Sequence, residues 1–138
     1  MKLTKSDFEL IKMADELVRA NTDLYEDQTL PVACVVKAKS GKVYKGINIR
    51  TSHSICAEAV ALGQALACGE REIDTVVAVK IDIDGSTRVV SPCGLCRYTY
   101  MQLGLQNMNI IVEDIETDQD LKVKAKDLLP YRYKRVDD

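Results

Sequence analysis

Two short segments of the 138-residue sequence carry side chains able to do chemistry: Cys56-Ala57-Glu58 and Pro92-Cys93-Gly94-Leu95-Cys96. Cys93 and Cys96 stand one helical turn apart, so their sulfurs share one helix face, and Cys56 from a separate element would complete a tripod of thiolate ligands for zinc. Three protein ligands leave one tetrahedral position open. An open position marks a catalytic rather than a structural zinc, because a water held there has its pKa lowered to about 7. Glu58, two residues past Cys56, points in another direction on a helix and can reach that water without ligating the metal. This is the geometry of a proton shuttle, suited to hydrolytic removal of an amino group from a ring carbon. Each segment opens a helix, whose N-terminal partial charge favours thiolates, so all three sulfurs are expected to have lowered pKa values. Three thiolates around a divalent ion leave a net negative site, and Arg97 is the expected compensating cation, donating to a ligand sulfur.

The elements that must hold these segments can be read from periodicity. Apolar residues from Thr4 to Ala20 recur at helical spacing behind a Thr4/Asp7 capping box. Pro31 to Lys37 and Lys42 to Ile49 read as a hairpin around Ser40-Gly41. A second helix spans Ser54 to Cys68 and stops at Gly69, and a third runs from Pro92 to about Gly104. Thr75 to Ile81, Asn109 to Val112 and Leu121 to Ala125 complete a mixed sheet of about five strands. Arg88 to Val90 reads as a short extended run, and Lys126 to Leu129 as a short final helix. Strands alternating with helices after an opening hairpin predict an α/β fold, a three-layer α/β/α sandwich formed by residues 1–138 as one domain.

Composition narrows the partners. With 46% hydrophobic and 29% charged residues the chain is balanced like a globular domain, and a formal net charge of −2 gives no basic field for a nucleic-acid polymer. No apolar run is long enough for a signal sequence or a bilayer span, so a cytoplasmic location and a small-molecule partner are expected. Five cysteines in a reducing compartment favour metal or catalysis over disulfides. Cys34 and Cys68 are expected to be small core residues, and Tyr98, Tyr100 and Met101 core or subunit-contact residues. His53, the single histidine, reads as a loop residue, and Glu113 to Asp120 as a solvated acidic loop.

The Cys-x-Glu and Pro-Cys-x-x-Cys segments together resemble the zinc-dependent nucleoside and nucleobase deaminases. The three-cysteine form with Pro92-Cys93-Gly94-Leu95-Cys96-Arg97 is similar to the small cytidine deaminases and blasticidin S deaminases, over about Pro31 to Tyr133. The resemblance implies a cytidine deaminase-like fold, a Zn2+ cofactor, a homotetramer and deamination of a cytosine nucleoside or analogue. It also implies substrate contacts from Asn48, in Gly46-Ile47-Asn48-Ile49, from Leu30, in Leu30-Pro31-Val32-Ala33, and from Ala57 and Ser91. Tyr133, ending Leu128-Leu129-Pro130-Tyr131-Arg132-Tyr133, would complete a pocket across a subunit boundary. The sequence departs from the family with Arg50 at the position of a ribose-binding glutamate, a short loop from Asn48 to Cys56, Leu30 in place of phenylalanine and Tyr98 in place of glutamine. Arg50 suggests an acidic nucleoside analogue as substrate. Three rival readings are a closed structural zinc site, a Cys93/Cys96 dithiol redox pair, and a nucleoside-binding relative without catalysis.

Overall fold

The computed structural model describes residues 1–136. Helix α1 (Lys5–Arg19) is followed by strands β1 (Val32–Ala38) and β2 (Val43–Ile47), helix α2 (Ala57–Ala67), strands β3 (Ile73–Ile81) and β4 (Thr87–Val90), and helix α3 (Gly94–Gln102). Strands β5 (Asn109–Asp114) and β6 (Gln119–Lys124) and a 3-10 turn at Ala125–Leu128 close the chain. The sheet has six strands in the order β2-β1-β3-β5-β6, with β4 also paired to β3. Among the described residues β3 and β5 run parallel and the other strand pairs antiparallel. The strand beyond the expected five is β4: Thr87–Val90 pairs antiparallel with Ala78–Ile81, while β5 takes the same edge of β3 lower down, at Thr75 and Val76.

Alternation along the central strands feeds two cores, as a two-residue side-chain period requires. Cys34, Val36 and Ala38 of β1, with Val76 and Ala78 of β3, face α2 and α3 and pack with Ala57, Ala61, Ala65 and Tyr100. Ala33 and Val35, with Val77, Val79 and Ile81, face the other way onto Leu10, Ala14 and Val18 of α1. Helices therefore cover both faces, giving the three layers the sequence predicts. The central strands are buried on both sides, which explains their continuous Val/Ile/Ala runs; each fully buried valine contributes about 1.5–3 kcal/mol of apolar transfer energy.

The predicted capping box is present: Thr4 Oγ1 accepts from Asp7 N, and Asp7 Oδ2 accepts from Thr4 N at 2.8 Å. Asp7 is buried and also receives the Lys122 ammonium at 2.8 Å, tying α1 to β6. Three expectations need correction. Cys68 caps the end of α2 and is exposed, because Gly69 in the left-handed region (φ 92°) turns the chain out of the core there. The acidic stretch is not one loop, since Glu113 and Asp114 end β5 and Gln119 and Asp120 begin β6, leaving only a tight turn with Asp118 at φ 58°. The two chemical helices begin later than expected, at Ala57 and Gly94, so that Cys56 and Cys93 are their N-caps. Among the described residues no helix is long and apolar enough to cross a membrane.

Candidate active site

Cys56 is delivered by the chain between β2 and α2. Ile49 and Ile55 exchange backbone hydrogen bonds at 2.9 and 2.8 Å, closing the intervening loop on itself and fixing where α2 starts. The Tyr25 hydroxyl steadies the loop from outside, donating to the Asn48 carbonyl and accepting from Arg50 N at 3.1 Å. Tyr25 has no flanking periodicity or motif, so nothing in the sequence signals this job. Close contact of β2 with α2 sets the depth of the helix, through Gly46 lying against the backbone of Ala57 and Ala61.

Cys93 and Cys96 arrive from β4 and the first turn of α3. The three Sγ atoms converge: Cys56 and Cys93 stand 3.5 Å apart, and all three lie within 4.8 Å of one another. A tetrahedral zinc with Zn–S bonds of about 2.3 Å spaces its sulfurs about 3.8 Å apart, so this cluster fits that ion, whereas a disulfide needs about 2.05 Å. All three cysteines are free. Among the described residues the cluster contains no fourth histidine, cysteine or carboxylate ligand. The donor set is therefore soft, anionic and open on one side, as a catalytic zinc requires and a closed structural site does not allow. His53 stays out of it, exposed in the loop with its Nδ1 beside Ser52 Oγ at 3.1 Å.

The thiols do not titrate alike, contrary to the expectation from helix N-termini. Burial raises Cys93, but backbone N–H groups of Cys96 and Leu95 and the neighbouring thiols outweigh it and hold Cys93 below its ordinary value. Cys96 is pushed far up by burial and by the negative charge of Glu58 and the other two sulfurs. Cys56 is raised by burial and by its contact with Cys93. At Cys56 and Cys96 desolvation and mutual repulsion win, and a cation between the sulfurs is what would relieve them.

Glu58, in the first turn of α2, is 6% exposed, and burial raises its carboxyl above the usual range. It lines an open cavity of about 240 Å³ together with Cys56, Ala57, Cys93, Asn48 and Ser91. The carboxylate thus borders the space beside the sulfurs without joining their cluster. Asn48 turns its Oδ1 to Val32 N at 2.8 Å, which leaves the carboxamide nitrogen as the group it can offer a ligand. Of the six substrate contacts expected, Asn48, Ala57 and Ser91 border this cavity within one chain, and Leu30, Arg50 and Tyr133 do not. Leu30 lines a separate groove with Lys80 and Asp82. Arg50 pairs with Asp27 at 3.3 Å on the surface, and Tyr133 is 75% exposed.

Arg97 also differs from expectation. Its Nε donates to the Pro92 carbonyl at 2.7 Å and its Nη1 to the Leu128 carbonyl at 3.1 Å, instead of to a ligand sulfur. The planar guanidinium finds two fixed carbonyls within reach there, and so clamps the turn before Cys93 to the end of the chain.

Comparison with known proteins agrees with this geometry. Residues 5–112 match the family described as the cytidine and deoxycytidylate deaminase zinc-binding region. A blasticidin-S deaminase of Bacillus cereus is 31% identical over 96% of both chains. The crystal structure of a cytidine deaminase from Burkholderia pseudomallei superposes with a TM-score of 0.68 at 26% identity, covering 88% of this chain and 98% of that one. A cytidine deaminase from Bacillus anthracis gives a TM-score of 0.72 at 16% identity, over 91% of this chain and 87% of that one, a likeness of fold alone. With the family match spanning both cysteine segments, and the three sulfurs and Glu58 gathered at the ends of the same two helices, the chain belongs to the cytidine and deoxycytidylate deaminase family of zinc-dependent deaminases.

Proposed function

We propose that this protein hydrolytically deaminates a cytosine nucleoside or a cytosine-nucleoside analogue, such as cytidine, deoxycytidine or a blasticidin S-like compound, releasing ammonia. The observation that carries the reading is a buried carboxylate, Glu58, sharing one open cavity with two sulfurs of a three-thiolate cluster it does not join. Cys56, Cys93 and Cys96 would hold zinc, which when bound supplies a Lewis acid that makes water nucleophilic at neutral pH. Glu58 takes a proton from the attacking water and hands it to the ring nitrogen beside the amino-bearing carbon. It then carries a second proton to the leaving amine, so that water and the C–NH2 group become C=O and ammonia. The burial that raises its carboxyl keeps it able to hold as well as accept a proton. Asn48, with its oxygen committed to Val32, offers its amide N–H groups to the substrate's sugar side, while Ala57 and Ser91 shape the wall around the ring.

The reading extends to assembly and location. Leu30, Arg50 and Tyr133 stand away from the cavity of their own chain, and a homotetramer in the cytoplasm would let a neighbouring chain contribute its Tyr133. Ammonia release by zinc-loaded protein, screened against cytidine, deoxycytidine, cytosine, blasticidin S and purine nucleosides, tests the substrate class. Turnover confined to the cytosine-bearing compounds is expected; release from purine nucleosides alone, or from none of the panel, overturns the reading. Within that screen, Arg50→Ala should alter turnover of acidic analogues only if its pairing with Asp27 yields to substrate.

A further inference from the structure

The strand pair that leads into the site is interrupted by a side chain. Ala33 pairs with Ile47, so the next rung of the antiparallel ladder would join Val32 and Asn48. Two residues on a hydrogen-bonded rung ordinarily exchange two main-chain bonds. Asn48 N donates to the Val32 carbonyl at 3.1 Å, which is one half of the exchange. The other half is diverted: Val32 N donates to Oδ1 of the Asn48 side chain at 2.8 Å and not to the Asn48 carbonyl. That diversion orients the carboxamide, because a backbone N–H can be met only by its oxygen. The nitrogen is left as the group Asn48 offers at the cavity that it lines with Val32, Glu58 and Ser91. The diversion also displaces a main-chain carbonyl from the ladder, and that carbonyl needs a donor of its own. The Tyr25 hydroxyl is the donor: it bonds the Asn48 carbonyl and accepts from Arg50 N at 3.1 Å, bridging the two residues. Tyr25 is partly buried, and its backbone is held by a turn in which Gln28 N donates to the Tyr25 carbonyl at 3.1 Å. Asp27 of the same turn pairs with the Arg50 guanidinium at 3.3 Å. Both partners of that ion pair are about half exposed, so it adds little, and the hydroxyl is the contact that holds the loop.

We propose that Tyr25 is a positioning residue for substrate binding: by holding the Asn48 carbonyl out of the ladder between β1 and β2, its hydroxyl reserves Val32 N for Asn48 Oδ1 and keeps the carboxamide nitrogen as the group offered to the ligand. Without the hydroxyl, the carbonyl returns to Val32 N, regular pairing resumes and the carboxamide loses its fixed orientation. The proposal rests on Asn48 contacting the substrate, and its test separates the two ideas. Tyr25→Phe keeps the ring and removes only the oxygen. With the cytosine nucleoside that the wild type turns over, KM should rise about fivefold, the worth of one hydrogen bond, while kcat and zinc content stay as in wild type. An unchanged KM overturns the proposal, as does a fall in kcat or zinc content without a rise in KM. In an Asn48→Ala background there is no carboxamide to place, and Tyr25→Phe should then change KM by less than about twofold. A rise of about fivefold there too would mean that Tyr25 acts by another route, and overturns the proposal as well.

A second readout does not use activity. In a crystal structure of zinc-loaded Tyr25→Phe, Val32 N should bond to the Asn48 carbonyl, with the Asn48 side chain released from it. A carboxamide oxygen still bonded to Val32 N overturns the proposal. Should Asn48→Ala by itself keep the wild-type KM, the substrate contact of Asn48 fails, while the placement of its carboxamide by Tyr25 still stands or falls on the crystal structure.

Discussion

Cys56 and Glu58 leave the same helix end two positions apart, and that offset divides their labour: the sulfur joins the cluster and the carboxylate stays beside it. Replacing Glu58 with glutamine keeps size and shape and removes a buried charge, so the fold and the zinc content should hold. General acid–base catalysis is worth about 10²–10⁴-fold, and kcat of Glu58→Gln should fall by that factor. Ammonia release and metal analysis on the same preparation check this; lost zinc would instead make Glu58 a ligand or a prop for one. Residue identity and spacing made the cluster legible, because Cys93 and Cys96, three residues apart at the start of a helix, bring two sulfurs to one helix end. Arg97 was not legible in the same manner. Its partners are main-chain carbonyls of Pro92 and Leu128, and the second becomes a neighbour only when the end of the chain folds back against α3.

At the scale of elements, the site depends on how closely β2 approaches α2. A Cβ on Gly46 would stand 2.5 Å from Ala61 N and 2.8 Å from the Ala57 carbonyl, both backbone atoms that cannot swing aside. Gly46→Ala should therefore cost about 1–3 kcal/mol, and because Ala57 sits between Cys56 and Glu58 the displacement should weaken zinc retention as well. Parallel urea and chelator titrations would show both losses; a stability loss with unchanged zinc affinity would mean α2 moves as a rigid piece without disturbing its start. Helix α1 makes a different prediction. Burial alone would raise Asp7, but hydrogen bonds from Lys122 and Thr4 outweigh it and hold the carboxyl below 3.8. A carboxylate with a lowered folded-state pKa stabilises the fold above its unfolded value, and loses that contribution as pH falls through the lowered one. Asp7→Asn should cost about 2 kcal/mol at pH 7, and the gap to wild type should narrow below about pH 4. Equal gaps in urea midpoint at pH 7 and pH 3 would refute the assignment. The capping half of this arrangement is legible in Thr4 and Asp7, three residues apart; the Lys122 half spans 115 residues, and no local pattern announces it.

For the molecule as a whole, strand alternation and helix periodicity were enough to predict three layers, since burial on two faces leaves a direct mark on β1 and β3. The pairing of β4 with β3 left no such mark, because a four-residue strand is too short to show a period. The substrate-side contacts were the hardest to read, for a related reason. The family resemblance implies that Leu30, Arg50 and Tyr133 contact a ligand, yet a single chain leaves Tyr133 exposed and Leu30 in another groove. Around the cluster the surface is apolar, with Ile49 and Ile55 each 45% exposed and Leu95 71% exposed, which is costly for a monomer and natural for a face covered by another copy. On the proposed tetramer, light scattering should give four times the 15.4 kDa chain mass. A shared site makes a stronger prediction than mass does. Tyr133→Ala should raise KM with zinc content unchanged, and Glu58→Gln should abolish most turnover, so each variant alone is defective. When the two are unfolded together and refolded as mixed oligomers, some sites will combine an intact Glu58 with an intact Tyr133 from a neighbour, and activity at low substrate should rise above the sum of the separate preparations. If each cavity is instead completed by its own chain, mixing will yield the average of the two, and Tyr133 will have no part in a neighbour's site.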